Sequence, residues 1–256
     1  IKCTKHYSKK NIKSKQYKTV RISTGKKNKE FNTKESAPTN KRYKLTMRRK
    51  LVAALACRNQ GSRLYGKPLQ NLDIEKGIRV IDIIIDGLNS LSCIDKVVLG
   101  ISEGKDNEVY KSVAKQKGIE YIIGDQIDVL HRLIKCGEKF DATDIFRVTS
   151  ESPFLYHKAV DSLWKQHCSQ NNDATFYEDI IDGCGFEFIQ LEALKHSHLK
   201  GKKKHRSELC TLYIRENLSD FKVQKVEAPD HLNRKDLRLT IDNPEDLVVC
   251  RKVFNQ

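Results

Sequence analysis

The chain has 256 residues, 38% of them hydrophobic, and a formal net charge of +15. That length suits one main domain with a single good core, and no apolar run approaches the roughly 20 residues of a membrane-spanning helix. The charge does not mark the folded part as nucleic-acid-binding, because residues 1–46 hold 15 Lys/Arg against Glu30 and Glu35 while residues 47–256 are close to neutral.

Residues 1–46 have few large apolar side chains and no sustained period of 2 or 3.6. They cannot bury enough surface to offset their ordering entropy, and they read as a disordered basic tail or as a segment upstream of the native start. The one methionine, Met47, directly precedes the first convincing strand. A tail of this charge attracts any phosphate backbone, so nucleic-acid binding is expected only through it. From Leu51 onward β-rich runs alternate with helical periods, the pattern of an α/β domain over residues 47–256 with a mostly parallel sheet. Strands are predicted at LVAALAC (Leu51–Cys57), KVVLGI (Lys96–Ile101), EYIIGD (Glu120–Asp125) and DIFRVTS (Asp144–Ser150). Helices are predicted over Asn107–Lys117, Asp128–Phe140 and His157–Gln170, where apolar residues fall three or four apart. IRVIDIIIDGLNSL (Ile78–Leu91) mixes β-branched residues with the helical spacing of Ile81, Ile84, Ile85 and Leu88; a helix is expected, since a parallel strand at Lys96 needs a crossover before it.

Further along, ATFYED and GFEFIQ read as two strands joined by a turn at Asp182-Gly183, and LEALKHSH and ELCTLYIREN as helices. FKVQKVEAP, the strand LRLTI and a last helix follow. Pro244 opens that helix, with Glu245 and Asp246 in its first turn, where they suit the dipole. The eight cysteines are scattered with no C-x-x-C, as reduced core thiols of a cytoplasmic protein would be. His196, His198 and His205 lie in a Lys-rich stretch that reads as a solvated face, with no partner at metal-ligand spacing.

The first strand runs into Arg58-Asn59-Gln60-Gly61-Ser62-Arg63-Leu64-Tyr65-Gly66-Lys67-Pro68. Small residues let backbone approach a ligand, and three cations in ten positions supply the charge a triphosphate demands. In an open α/β sheet this loop lies at the carboxyl ends of the strands, where ligands bind. It matches neither standard phosphate-loop pattern, so spacing alone leaves it open as an ordinary basic loop. Glu151 and Asp242 each end a predicted strand and can project over the same sheet edge. Mg²⁺ takes one or two carboxylates plus phosphate oxygens, which such a pair can provide. Asp242 could equally be a plain helix N-cap.

Read in order, these segments resemble the cytidylyltransferase family that includes CMP-Kdo synthetases, acylneuraminate cytidylyltransferases and spore-coat polysaccharide proteins. AALACRNQGSRLYGKPLQNL is similar to the family's R-x-x-S-x-R-L-P-G-K loop, GDQIDVLHR to G-x-x-D-D-V-L-x-R, and RVTSESPFL to R-I-T-G-D-x-P-L. DGCGFEFIQLEAL, HRSELCTLYIREN and LRLTIDNPEDLVVCRKVF resemble D-G-x-D-x-E-V-F-x-x-x-A-L, R-E-H-V-T-x-Y-I-R-E-N and R-x-T-V-D-x-P-E-D-L. The match runs from Leu51 to Phe254.

The resemblance implies a three-layer α/β/α nucleotide-diphospho-sugar transferase fold, Rossmann-like, with a small extension for dimerisation and acceptor binding. It implies CMP transfer from CTP to a sugar acid or related small acid, Mg²⁺ as cofactor, a role in cell-surface polysaccharide precursor synthesis, and a cytoplasmic homodimer. Arg58, Gly61, Ser62, Arg63 and Lys67 would hold the nucleotide, with Asp128 and Arg132 on its side of the site. Glu151 and Asp242 would bind the metal, Arg63, Lys67 and Asp242 would serve catalysis, and Glu187, Arg206 and Tyr213 would belong to the acceptor region. Two departures stand out: Ser150-Glu151 replaces Gly-Asp, and Tyr65 replaces the loop proline. Rival readings are a transferase of the same fold using another nucleotide or a non-sugar acceptor, and a degenerate domain whose tail binds nucleic acid.

Overall fold

In the computed structural model, which describes residues 48–61 and 63–256, the chain forms β1 (Leu51–Cys57), a hairpin of β2 (Asn71–Asp73) and β3 (Ile78–Arg79), then α1 (Val80–Asn89). The expected strand–helix alternation follows as β4 (Lys96–Ser102), α2 (Val109–Lys117), β5 (Glu120–Gly124), α3 (Val129–Lys139), β6 (Asp144–Arg147) and α4 (Val160–Gln170). The last third holds β7 (Ala174–Asp179), β8 (Phe186–Gln190), α5 (Leu191–Lys200), α6 (Leu212–Glu216), β9 (Val223–Glu227) and α7 (Pro244–Phe254). The basic tail, Met47 and Ser62 lie outside the described residues.

Seven strands form one sheet in the order β5-β4-β1-β6-β8-β7-β9, with β8 antiparallel to both neighbours and the other pairings parallel. β1 sits where the order reverses: the chain first builds outward to β4 and β5, then returns to its other side with β6. Such a switch point leaves a crevice beyond the carboxyl ends of the strands.

Period-two alternation explains the two cores. Leu51, Ala53, Leu55 and Cys57 of β1 face one side, with apolar residues of α1, α2, α4 and α7. Val52 and Ala54 face the other, with those of α3, α5 and α6. These are the three layers that the resemblance implied. Each fully buried Leu here stabilises the fold by about 1.5–3 kcal/mol relative to exposure. The ambiguous run at Ile78 is helical from Val80 because Ile81, Ile84, Ile85 and Leu88 all fall on its buried stripe. Gly118, left-handed at φ 63°, ends α2, and Asn171 at φ 51° ends α4.

LRLTI is not a strand. Leu239 N–H donates to Asp182 O (2.7 Å) and Ile241 N–H to Glu151 O (3.0 Å), so the segment crosses the ends of two different strands and cannot run in a ladder with either. Its one β-like contact is an isolated bridge from Arg238 to Asp182. At the opposite ends of the strands, where β6 begins, Arg49 grips the fully buried Asp144 with Nε (2.9 Å) and Nη2. His167 Nε2 lies 3.1 Å from the same carboxylate, and its Nδ1 lies 2.8 Å from Thr175 Oγ1. Burial pushes the His167 pKa down. For Asp144, burial works against the charge, but the His167 bond and the Arg49 guanidinium hold its carboxyl below the ordinary range. Among the described residues no helix is long and apolar enough to cross a membrane.

Candidate active site

Beyond Cys57 the chain enters the basic loop, and its shape follows from a few small residues. A Cβ on Gly61 would stand 2.5 Å from Leu64 O, so only glycine fits there. Gly66 is left-handed at φ 58° and its N–H donates to Asn59 O (2.9 Å), after which Lys67–Leu69 forms a short 3-10 turn around Pro68. Asn59 is buried, its N–H donating to Asn107 Oδ1 (2.8 Å), and Tyr110 OH donates to Arg58 O (3.2 Å). The loop is thus pinned to the segment after β4. Tyr65, in the usual proline position, is exposed. A cleft of about 460 Å³ opens beside the loop, lined by Arg58, Gly61, Arg63 and Lys67 on one side and by Glu151, Arg238 and Asp242 on the other.

Asp242 is not the cap of α7. Asn243 holds that place, and Asp246 Oδ2 accepts the N–H groups of Asp242 (2.9 Å) and Asn243 (2.8 Å). The Asp242 carboxylate turns to the cleft instead, where Lys67 Nζ lies 2.5 Å and Arg63 Nη2 3.3 Å from Oδ1, and Arg238 Nη2 binds Oδ2. Partial burial opposes its charge, but Lys67, Arg238 and Arg63 together hold the carboxyl below the ordinary range. Glu151 shows the reverse: burial, reinforced by the charge of Asp242, pushes its carboxyl up despite Lys67. The two acid-bearing segments are stitched together by the Ile241 N–H bond to Glu151 O. Ser150, which stands where glycine is usual, donates from Oγ to Ala56 O (2.9 Å) and so ties this corner to β1.

Glu151 and Asp242, which both line the cleft, offer oxygen donors of the kind Mg²⁺ takes. Among the described residues no group of three or more His, Cys, Asp or Glu side chains could hold a metal. A hard cation that takes two protein carboxylates and completes its shell with phosphate oxygens and water suits such a sparse donor set.

The far wall is a charge network. Arg147 Nη1 pairs with Glu187 Oε2 (3.0 Å), and its Nη2 donates to Glu208 O (2.8 Å). Arg215 Nη2 pairs with Glu187 Oε1 (2.7 Å), which also accepts from Thr211 Oγ1 (3.0 Å). Burial opposes the charge on Glu187, but Arg147 and Arg215 hold its carboxyl below the ordinary range. Across the cleft mouth, Arg58 Nη2 reaches Glu208 Oε2 at 2.9 Å.

The structure therefore brings Arg58, Gly61, Arg63, Lys67, Arg132, Glu151 and Asp242 to one cleft. It draws other predicted residues away. Asp128 caps α3, accepting His131 N–H (2.9 Å), and its other oxygen lies 2.7 Å from His198 Nε2; Arg206 is its more distant partner at 3.9 Å. Glu187 lies behind Arg147, and Tyr213 packs edge-on against His205 and Phe221. The histidine stretch is not simply solvated: His205 is buried and its Nε2 lies 2.8 Å from Glu216 Oε2. Ser62 is outside the described residues. Sequence reasoning missed Arg147 and Arg238, which line the cleft. Each is a lone cation in an apolar run that leads to an acid, and that was the available signal.

A family model described as cytidylyltransferase matches residues 53–255. The chain is 26% identical over 211 residues to the spore coat polysaccharide biosynthesis protein SpsF of Bacillus subtilis, covering 80% of this chain and 87% of that one. Among solved structures, it is similar to a cytidylyltransferase from Leptospira borgpetersenii, with TM-score 0.74, 19% identity and coverage of 81% and 87%. It is also similar to CMP:2-keto-3-deoxy-manno-octonic acid synthetase complexed with CTP, with TM-score 0.60, 14% identity and coverage of 81% and 99%. At these identities the two structures speak to the fold.

Proposed function

Because this chain belongs to the cytidylyltransferase family, we propose that it transfers CMP from CTP to an oxygen of a sugar acid or related small acid, releasing pyrophosphate, to make precursors of cell-surface polysaccharide. The observation that carries this reading is the direct contact of the basic loop with an acid from the far end of the chain, Lys67 with Asp242. It supports the reading because it brings a cationic loop and a carboxylate from the far end of the chain to one cleft.

In the proposed reaction the acceptor hydroxyl oxygen bonds to the α-phosphorus and loses its proton to water, while the bond from that phosphorus to the oxygen it shares with the β-phosphate breaks. Arg58 and the backbone at Gly61 bind the triphosphate. Arg63 and Lys67 neutralise the charge that grows on the departing pyrophosphate. Glu151 and Asp242 would hold Mg²⁺, which supplies Lewis-acid polarisation of phosphate and acceptor oxygens when bound. Arg147 and Glu208 form the wall opposite the loop and so shape the space left for the acceptor. A homodimer is part of the proposal, to be checked by sedimentation.

The test is pyrophosphate release from CTP, Mg²⁺ and a panel of sugar acids, with UTP, ATP and dTTP as competitors. Release that depends on CTP and on one acid class supports the reading; no CTP binding at millimolar concentration rejects it.

A further inference from the structure

Arg238 sits among three carboxylates. Its Nη1 donates to Asp182 Oδ2 (3.0 Å), its Nη2 binds Asp242 Oδ2, and its Nε lies 3.4 Å from Asp246 Oδ1. A planar guanidinium can address three acids at once, which a compact ammonium cannot. The chain is shaped to bring it there. Gly183, between β7 and β8, stands at φ 93°, and a Cβ on it would meet Leu239 C and Thr240 N at 2.7 Å, so the two segments cross in contact beside Arg238. Asp246 is fixed by its other oxygen, which accepts the N–H groups that open α7.

The two oxygens of Asp242 therefore have different partners. Oδ1 faces the loop cations Lys67 (2.5 Å) and Arg63 (3.3 Å), while Oδ2 belongs to Arg238. Counted over these contacts among the described residues, three cations (Arg238, Lys67, Arg63) meet three carboxylates (Asp182, Asp242, Asp246), and their charges cancel. Glu151 faces the same cleft, but burial works against its charge. A divalent ion gains little attraction from a balanced cluster and must displace cations already in place. A triphosphate changes the balance. Its negative charge draws on the loop cations, whereas Arg238 is held by two further acids and stays.

We propose that Arg238 is the resident counter-cation of this cleft: it positions Asp242 through Oδ2 and keeps divalent ions off the acids around it until a triphosphate brings new negative charge. Metal and nucleotide then bind cooperatively. This rests on the reading of the cleft as a CTP and Mg²⁺ site, and Arg238 acts in it as a positioning residue.

The experiment titrates Mn²⁺ in place of Mg²⁺, read by electron paramagnetic resonance of the free ion, into the nucleotide-free wild type, Arg238→Met, Arg238→Gln and Arg238→Lys. CTP binding is then measured calorimetrically with EDTA and with Mn²⁺. Without nucleotide the wild type is expected to bind Mn²⁺ no tighter than about 1 mM, the weak end of carboxylate sites. Removing the counter-cation leaves three carboxylates around a gap. Arg238→Met and Arg238→Gln are therefore expected to bind Mn²⁺ roughly tenfold tighter or more, and adding Asp182→Asn to either is expected to abolish the gain. Arg238→Lys keeps the charge and is expected to stay within about threefold of the wild type. Mn²⁺ is expected to raise CTP affinity about tenfold or more in the wild type and by less in the neutral variants, because coupling between two ligands is reciprocal. Two neutral variants are used so that a folding defect in one leaves the other. A tight Mn²⁺ site in the nucleotide-free wild type, or unchanged Mn²⁺ affinity in the neutral variants, would overturn the proposal. So would a gain in Arg238→Lys equal to theirs. A wild type that binds no CTP even with Mn²⁺ refutes the CTP reading, while the nucleotide-free comparison still decides the role of Arg238.

Discussion

Lys67 Nζ and Asp242 Oδ1 stand 2.5 Å apart although 175 positions separate them in the chain. The loop after the first strand and the turn before the last helix thus meet in one cleft. Replacing Asp242 by Asn removes the negative centre that three cations and the proposed metal share. Turnover is expected to fall at least about 100-fold, the scale of losing one transition-state electrostatic contact, with an unchanged far-UV circular dichroism spectrum. Near wild-type pyrophosphate release from Asp242→Asn would reject its metal role.

Glu151 gives a prediction in pH. Its carboxyl is held above the ordinary value of 4.5, so the folded state keeps the proton that the unfolded chain has lost, and stability falls as pH rises above that ordinary value. Glu151→Gln is therefore expected to melt higher than the wild type at neutral pH without divalent ions. The gap should close as pH drops below the ordinary value, where both side chains are neutral. Melting curves across that range with a chelator check it; an equal gap at all pH values would remove burial of the charge as the cause.

Gly124→Ala tests how Arg132 is held. The added methyl meets the Arg132 stem at 2.7 Å and must displace it. A loss of about 1–3 kcal/mol in stability is expected, together with weaker CTP binding. Denaturant melts and nucleotide titrations report the two effects separately.

Asp144→Asn leaves Arg49 without its carboxylate at the amino end of β6, the end remote from the cleft. It is expected to cost about 3 kcal/mol of stability while CTP affinity stays as in the wild type. The wild-type Asp144 carboxyl lies below its ordinary value of 3.8, so its contribution is present above that pH and fades as pH falls through it. That part of acid unfolding should be absent from the variant.

What was legible in the sequence was what local pattern controls. LVAALAC alternates between two apolar faces and forms a strand with the expected ends. The run Ile78–Leu91 is helical over Val80–Asn89, where its apolar stripe has helical spacing, while Ile78–Arg79 pairs as β3, and Pro244 opens α7 as expected. LRLTI misled because five residues of strand-like composition say nothing about what lies beside them. The segment meets Asp182 and then Glu151, each at the end of a different element. Asp128 shows the same limit: the residue before a helix is its natural cap, and only the fold brings His198 up to its second oxygen. Glu187 was placed with the acceptor, yet Arg147 stands in front of it. An ion pair between neighbouring strands has no signature in either strand alone.

The Arg58–Glu208 pair closes a different account. Both side chains are largely exposed, 45% and 71%, so their bond is worth no more than about 1 kcal/mol. A phosphate that engaged Arg58 would compete with this pair and free Glu208 at the mouth of the cleft. The segment that carries Glu208 also carries the carbonyl that Arg147 grips and the Leu209 and Cys210 that line the cleft. One weak, exposed ion pair thus ties the basic loop to the wall that faces it.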